Sequence, residues 1–433
     1  VSTAELTELR LPEFKSLRDA VIPIDSLTVI AGRNGSGKSN VIDGLAVLSA
    51  LAEGGDLRDS LDGGHDGPVV RGGSEGCAPL GTNAFQLGCT VSHAGSQYSL
   101  DLEIQVSPRL AIISEHLWSS RGSAGRVDYL RSDPPDPHSS DLQVRWHNGK
   151  RGVNPAIAMR STQLLTSQAA TRVPATSAAG RRVHEVAEIV LSAISGIFIL
   201  DPDPHQMREY VPERDAALRR NADNLSASLK RLASERAVQE TLLEMTRSLS
   251  EAQVSELTWA TSSLGDVMVV VKEMMGGQVR PVPARLMSDG TLRFLAITAA
   301  LLDKQPVSLS KTIQRGRLLV VEEIESGLHP SQASVLLERI KSVAAERNIR
   351  TVATTHSPPL LDALTGADHE SVVVASRDKT TGWSRVDRLT DFPDYFEVVG
   401  RTSLGDSAVH DRLRPGKVNA DAARAALAEI FKS

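Results

Sequence analysis

The stretch Gly32-Arg33-Asn34-Gly35-Ser36-Gly37-Lys38-Ser39 fits the pattern G-x-x-x-x-G-K-[ST] in full, and its flanks restrict the fold further. Before it, Leu27-Thr28-Val29-Ile30-Ala31 reads as a buried strand. After it, the run from Asn40 to Leu48 reads as a helix. The pattern has a chemical reason. Glycines let the backbone wrap phosphates with its N–H groups turned inward, and the helix N-terminus adds a favourable dipole. Lys38 is expected to reach the β- and γ-phosphates, and the Ser39 hydroxyl to ligate Mg2+. Asn34, Gly35, Ser36, Gly37, Lys38, Ser39 and Asn40 are therefore the expected ATP-binding residues.

Composition narrows the partners. With 433 residues, 41% of them hydrophobic and 23% charged, the chain has the make-up of a globular protein with one large core or several smaller ones. Aromatic residues make up only 3%, which argues against stacking nucleic-acid bases as the main mode of action. A net charge of −5 offers no global attraction to nucleic acid or anionic lipid, so such a contact needs a local patch. Cys77 and Cys89 lack metal-ligand spacing and read as reduced thiols. No apolar run approaches the ~20 residues that cross a bilayer. Val1 to Glu5 lack the basic and apolar regions of a signal peptide, so a cytoplasmic protein without membrane contact is expected.

Along the chain, residues 54–75 are rich in Gly and Asp and read as an exposed loop. Tyr98, Leu100, Leu102, Ile104 and Val106 alternate with polar residues, the period of a half-buried antiparallel strand, with Phe85–Val91 and Leu110–Leu117 as partners. Residues 119–183 read as a loop-rich insertion, followed by an amphipathic helix from Val183 to Ile199 and a helix pair within 213–250. Arg219, Arg220, Lys230, Arg231 and Arg236 lie on that pair, as a solvated face or as a DNA patch. From residue 266, short β-branched runs (Val267–Val271, Leu318–Val321, Arg350–Ala353) alternate with helical segments, which implies parallel strands joined by crossover helices. Ser371–Ser376 and Ser384–Leu389 suggest a hairpin, and Ala420–Phe431 a C-terminal helix.

Three later segments complete a nucleotide site. Leu318-Leu319-Val320-Val321-Glu322-Glu323 is an apolar strand ending in two acids. The first would hold Mg2+, and the second would orient and deprotonate the water that attacks the γ-phosphate. The segment Glu322 to Pro330 resembles the Walker B and D-loop of ABC-type ATPases, most closely those of the SMC/RecF/OLD branch. Thr354-Thr355-His356-Ser357-Pro358 is similar to that branch's switch-histidine segment. Leu286 to Arg293, with Ser288-Asp289-Gly290, resembles a shortened signature motif. These motifs follow the family order and cover roughly residues 10–50 and 285–376.

The resemblance implies an α/β P-loop NTPase: an ABC-type ATPase head with a mixed sheet, an antiparallel β-subdomain and an inserted helical lobe. Residues 1–118 and 265–433 would form the head, and 119–264 the lobe. It further implies a homodimer that sandwiches two ATP molecules. Ser288, Asp289 and Gly290 would face the γ-phosphate on the partner's loop, Glu323 and His356 would be catalytic, and Ser39 and Glu322 would hold the metal. Slow ATP hydrolysis would then toggle the dimer in DNA transactions or antiviral defence, with a companion effector protein and, where a basic patch allows, DNA. Two departures stand out. Glu322 replaces the usual Asp, and Asp289 brings a carboxylate toward incoming phosphate. A Q-loop glutamine is open between Gln86 and Gln105. The residues after the last core strand lack the acidic constellation of a Toprim-like nuclease. A non-hydrolysing ATP-dependent scaffold and a transporter's nucleotide-binding subunit are the alternative readings.

Overall fold

The computed structural model describes residues 2–63, 69–120, 125–249, 253–303, 313–410 and 412–413. The chain opens with β1 (Ser2–Phe14), β2 (Leu17–Pro23) and β3 (Leu27–Ala31), then enters α1 (Lys38–Ala52) and a short α2 (Leu57–Asp62). An antiparallel run follows: β4 (Ala84–His93), β5 (Ser96–Gln105), β6 (Ala111–Ser120), β7 (Arg126–Ser132), β8 (Asp141–Trp146) and β9 (Ala156–Arg160). Next come α3 (Leu165–Arg172), α4 (Ala178–Ile194), β10 (Ile197–Leu200), β11 (Val211–Pro212), α5 (Leu225–Leu232) and α6 (Arg236–Leu249). The hairpin strands β12 (Gln253–Thr261), β13 (Asp266–Met275) and β14 (Gln278–Pro283) lead into α7 (Asp289–Leu302). The chain closes with β15 (Ile313–Arg315), β16 (Arg317–Val321), α8 (Ala333–Glu346), β17 (Ile349–Thr355), α9 (Pro358–Asp362), β18 (Val372–Arg377), β19 (Ser384–Arg388), α10 (Tyr395–Arg401) and α11 (Leu404–Val409).

Among the described residues one mixed sheet runs β10-β16-β17-β3-β18-β19-β2-β1-β4-β5-β6-β7-β8-β9, with β15 beside β1. Strands β10, β16, β17, β3 and β18 are mutually parallel, and β3 is buried throughout because both faces are covered. One layer packs α1 and α4 against the sheet, and the other packs α5 to α9. This is the expected α/β class with a mixed sheet and an antiparallel β-subdomain. Among the described residues no helix is long and apolar enough to cross a membrane.

Several expectations need correction. Ile197–Leu200, read as the end of a helix, is a strand that pairs in parallel with Leu318–Val321 and forms the edge of the sheet next to β16. Gly196 lets the backbones meet: a Cβ there would lie 1.8 Å from the Gly316 carbonyl oxygen. Residues 119–160 were expected in a loop-rich insertion, yet β7, β8 and β9 prolong the same sheet as β4 to β6. The boundaries of the lobe at 119–264 therefore do not separate it from the head. Val267–Val271 belongs to a separate four-stranded antiparallel sheet of β11 to β14, not to the parallel core. The loop expected at 54–75 contains α2, capped by Asp56, which accepts from the Arg58 N–H at 3.1 Å. The helix expected at Ala420–Phe431 lies outside the described residues.

The basic residues of the α5–α6 region are held within the chain. Arg219 pairs with Asp215 and, at 3.0 Å, with Asp223; Lys230 pairs with Glu213 at 2.7 Å. Arg231 pairs with Asp303 at 2.7 Å, Arg236 with Glu240 at 3.1 Å, and Arg220 donates to the Val69 carbonyl at 2.7 Å.

Candidate functional site

The loop after β3 turns back on itself through Gly35 (φ 76°) and Gly37 (φ 106°), conformations that glycine adopts without strain. A side chain at Gly37 would also strike Ser384, 2.8 Å from where its Cβ would stand. The turn delivers Lys38 to the first position of α1, where its ammonium folds over the loop and donates to the carbonyls of Gly32 (2.7 Å) and Arg33 (3.1 Å). Burial pushes the Lys38 amine below its ordinary range, although Glu323, Glu325 and Glu322 pull it back toward the charged form. Asn34 to Asn40 line a cavity of about 370 Å3 together with Ser16, Glu322, Glu323, Thr354 and Arg377.

Parallel pairing of β16 with β17, and of β17 with β3, brings the acids to the mouth of this cavity, at the carboxyl ends of the strands. The Ser39 hydroxyl donates to the Glu322 carboxylate. Glu323 has φ 49°, a left-handed conformation that costs a non-glycine residue energy, and its N–H donates to the Thr354 hydroxyl at 2.9 Å. The His356 Nδ1 stands 3.6 Å from both Glu323 Oε1 and Glu325 Oε1, while its backbone N–H donates to Glu325 Oε1 at 3.1 Å. His356 faces a second, larger cavity of about 810 Å3 that borders the loop at Gly32 to Ser36.

Ser39 and Glu322 suit a hard cation because both offer oxygen ligands at touching distance. Among the described residues no cluster of three His, Cys, Asp or Glu side chains forms a self-sufficient metal cage. A magnesium ion here would need phosphate and water oxygens for its remaining ligands, which is how Mg2+ is bound with nucleotides.

The signature residues lie apart from this cavity. Ser288 caps α7 by accepting from the Thr291 N–H at 3.1 Å, and its hydroxyl is 2.8 Å from that of Thr291. Ser288 and Gly290 line a crevice with Gly327 and Leu328 of the D-loop segment, and none of Ser288, Asp289 or Gly290 borders the phosphate loop cavity. The Asp289 carboxylate is not left alone: Arg208 pairs with it at 2.6 Å and donates to the Met287 carbonyl at 2.9 Å.

Sequence reasoning missed several groups. Arg71 donates to both Glu322 oxygens at 3.2 Å and lies 3.7 Å from Asp43. Burial opposes its charge, but Asp43 and Glu322 outweigh that and hold the guanidinium above its ordinary range. Asp43, buried one turn beyond Ser39 on α1, is neutralised by Lys15 at 2.8 Å. Neither Gln86 nor Gln105 lines the cavity. They lie on β4 and β5, where Gln105 donates to the Arg109 carbonyl at 3.3 Å. The strand beside β16 is β10, whose Leu200 pairs with Val321, and Asp201 just after it acts electrostatically on Arg71. The strand character of Ile197-Phe198-Ile199 was the available signal. Cys77 and Cys89 are free and buried, and burial pushes both thiols up to about 12.

The family described as "AAA domain, putative AbiEii toxin, Type IV TA system" matches residues 27–362. No curated protein matches the chain. Among solved structures, it is similar to an SMC head bound to the C-winged helix domain of ScpA, with 14% identity, 88% of this chain and 97% of that chain covered, and a TM-score of 0.48. It is also similar to the SMC head domain from Thermotoga maritima, at 14% identity over 89% of this chain and 98% of that chain, with a TM-score of 0.41. A third likeness is to an Smc head with an extended coiled coil bound to the C-terminal domain of ScpA, from Pyrococcus furiosus, at 13% identity over 89% and 96%, with a TM-score of 0.46.

Proposed function

Since the chain belongs to this AAA-domain family, and is thereby a P-loop ATPase, we propose that it works as an ATP-driven dimeric switch coupled to a companion effector in antiviral defence. The observation that carries the reading is a division of labour. The Lys38 loop, Ser39, Glu322 and Glu323 converge on one cavity, whereas the signature residues Ser288 and Gly290 open on another surface of the same chain. A second copy would bring its own α7 N-terminus to the bound triphosphate, where backbone N–H groups and the Ser288 hydroxyl favour an anion. Each site would be completed only in the dimer.

In this reading Lys38 leaves the Gly32 and Arg33 carbonyls for the β- and γ-phosphates. Ser39 and Glu322 would hold Mg2+, whose charge would offset that of the phosphates. Glu323 accepts the proton of the attacking water, and His356, held between Glu323 and Glu325, contacts the γ-phosphate and registers its loss. Hydrolysis then releases the partner and resets the switch. The setting proposed for such a switch is the cytoplasm. A role on DNA has less support: the cations of the α5–α6 region are held by carboxylates and a carbonyl of the chain itself.

Mixing variants tests the shared site. Ser288→Arg should keep the ATP affinity of the isolated subunit and lose ATP-dependent dimers by light scattering. Lys38→Ala should lose ATP binding. Mixed together, the two should recover part of the hydrolysis that each lacks, because one composite site is then free of both lesions. Full-rate hydrolysis by a strict monomer at high dilution would sink the reading.

A further inference from the structure

The nucleotide cavity carries a cation outside the recognised motifs. Arg377 ends β18 and lines the cavity with Lys38, Ser39, Glu322 and Glu323. It also lines the adjoining cavity of about 810 Å3, so it stands on the ridge between the two. Parallel pairing of β18 with β3, with Val374 opposite Ala31, sends Arg377 out at the same sheet edge as the phosphate loop.

The side chain is pinned at one end only. Its Nε donates to the Gly382 carbonyl at 2.9 Å, across a turn closed by Asp378, which accepts from the N–H groups of Thr380 (2.8 Å) and Thr381 (2.7 Å). That hairpin is in turn fastened to the phosphate loop. Ser384 is buried, its hydroxyl lies 2.8 Å from that of Ser16, and Ser16 accepts from the Asn40 side chain at 2.8 Å. With Nε occupied, the two terminal nitrogens of the guanidinium remain as a planar edge.

The charge of Arg377 is also uncommitted. Among the described residues its sole polar partner is the Gly382 carbonyl, and no carboxylate pairs with it. Arg71, by contrast, is bound to Glu322, and the Lys38 ammonium to two carbonyls. An exposed arginine is ordinarily a solvated side chain. This one is held by its Nε at the rim of a cavity whose floor is a phosphate-binding loop. A guanidinium edge matches two phosphate oxygens in a way that a lysine ammonium cannot.

We propose that Arg377 is a phosphate-binding residue of the nucleotide site, its terminal nitrogens donating to phosphate oxygens of the nucleotide held on the Lys38 loop. The proposal rests on the nucleotide reading above and adds a contact in cis from the β18–β19 hairpin. Binding would thereby couple the hairpin to the occupancy of the site.

Calorimetry on the full chain with ATP, ADP and adenosine, in Mg2+, tests it. Arg377→Ala should weaken both ATP and ADP, or ATP alone if the contact is to the γ-phosphate, by about tenfold, the scale of one hydrogen bond to a charged group. Adenosine binding should not change. Arg377→Lys keeps the charge but loses the planar edge and should fall between wild type and alanine. It also serves as the deciding variant if the alanine protein does not fold. Wild-type affinities for ATP and ADP in both variants would overturn the proposal, as would an equal loss for adenosine. Lys38→Ala separates the two levels: retained ATP binding there would refute the nucleotide reading itself, whatever Arg377 does.

Discussion

The hydroxyl of Ser39, second residue of α1, donates directly to the carboxylate of Glu322 at the end of β16, although 283 positions separate them in the chain. Two oxygens of the kind a hard cation takes thus stand side by side. The extra methylene of Glu322, relative to an aspartate, is taken up by this contact and by the two bonds from Arg71.

Replacing Glu322 by Gln should leave ATP binding without metal nearly unchanged and remove most of the gain that Mg2+ brings. The amide cannot supply an anionic ligand to a hard cation. Titrating ATP with and without Mg2+ gives the comparison. An undiminished Mg2+ effect would move the metal site elsewhere.

Glu323→Gln should bind ATP like the wild type and hydrolyse it about 100-fold more slowly or worse, because the amide cannot take the proton of the attacking water. The variant should accumulate as ATP-bound dimers, visible by light scattering. Wild-type turnover would exclude Glu323 as the base.

Gly290 and Gly327 bring the start of α7 against the D-loop segment with no room for a side chain. A Cβ on Gly290 would lie 2.0 Å from the Gly327 carbonyl oxygen. Gly290→Ala should therefore cost about 1–3 kcal/mol, the usual penalty of overpacking, read as a lower urea midpoint. An unchanged midpoint would mean that the two segments move apart freely.

Glu115 is buried on β6 and caps α3: it accepts from the N–H groups of Leu165 (2.7 Å) and Thr166 (2.5 Å) and from the Thr166 hydroxyl (2.6 Å). Burial raises its carboxyl from 4.5 to about 7, against the lowering effect of those three donors. Between these values the folded state holds more protons than the unfolded one, so stability should fall as pH rises from about 4.5 to about 7. Melting curves across that range should slope downward in the wild type and flatten in Glu115→Gln. An equal slope in both would assign the effect to other groups.

What could be read directly from the chain was whatever depends on neighbours in sequence. The glycines, lysine and serine of residues 32–39 specify a phosphate loop because the backbone itself is the ligand cradle. The alternation from Tyr98 to Ile104 specifies the strand β5, whose one face packs inward. The acids after Val321 stand at a sheet edge because an apolar run must end there. Pairing across long distances was a different matter. Ile197–Leu200 became a strand at the edge of the sheet because β16 offered its edge, and that register brought the end of β10 level with Val321, just before the two acids. The contacts of Arg71 with Glu322, and of Arg377 with the cavity rim, depend on which strands and loops the sheet order makes neighbours. Spacing along the chain determined the phosphate loop and the two acids. The order and register of strands drawn from both ends of the chain, set by burial of their apolar faces, decided which charged side chains surround them.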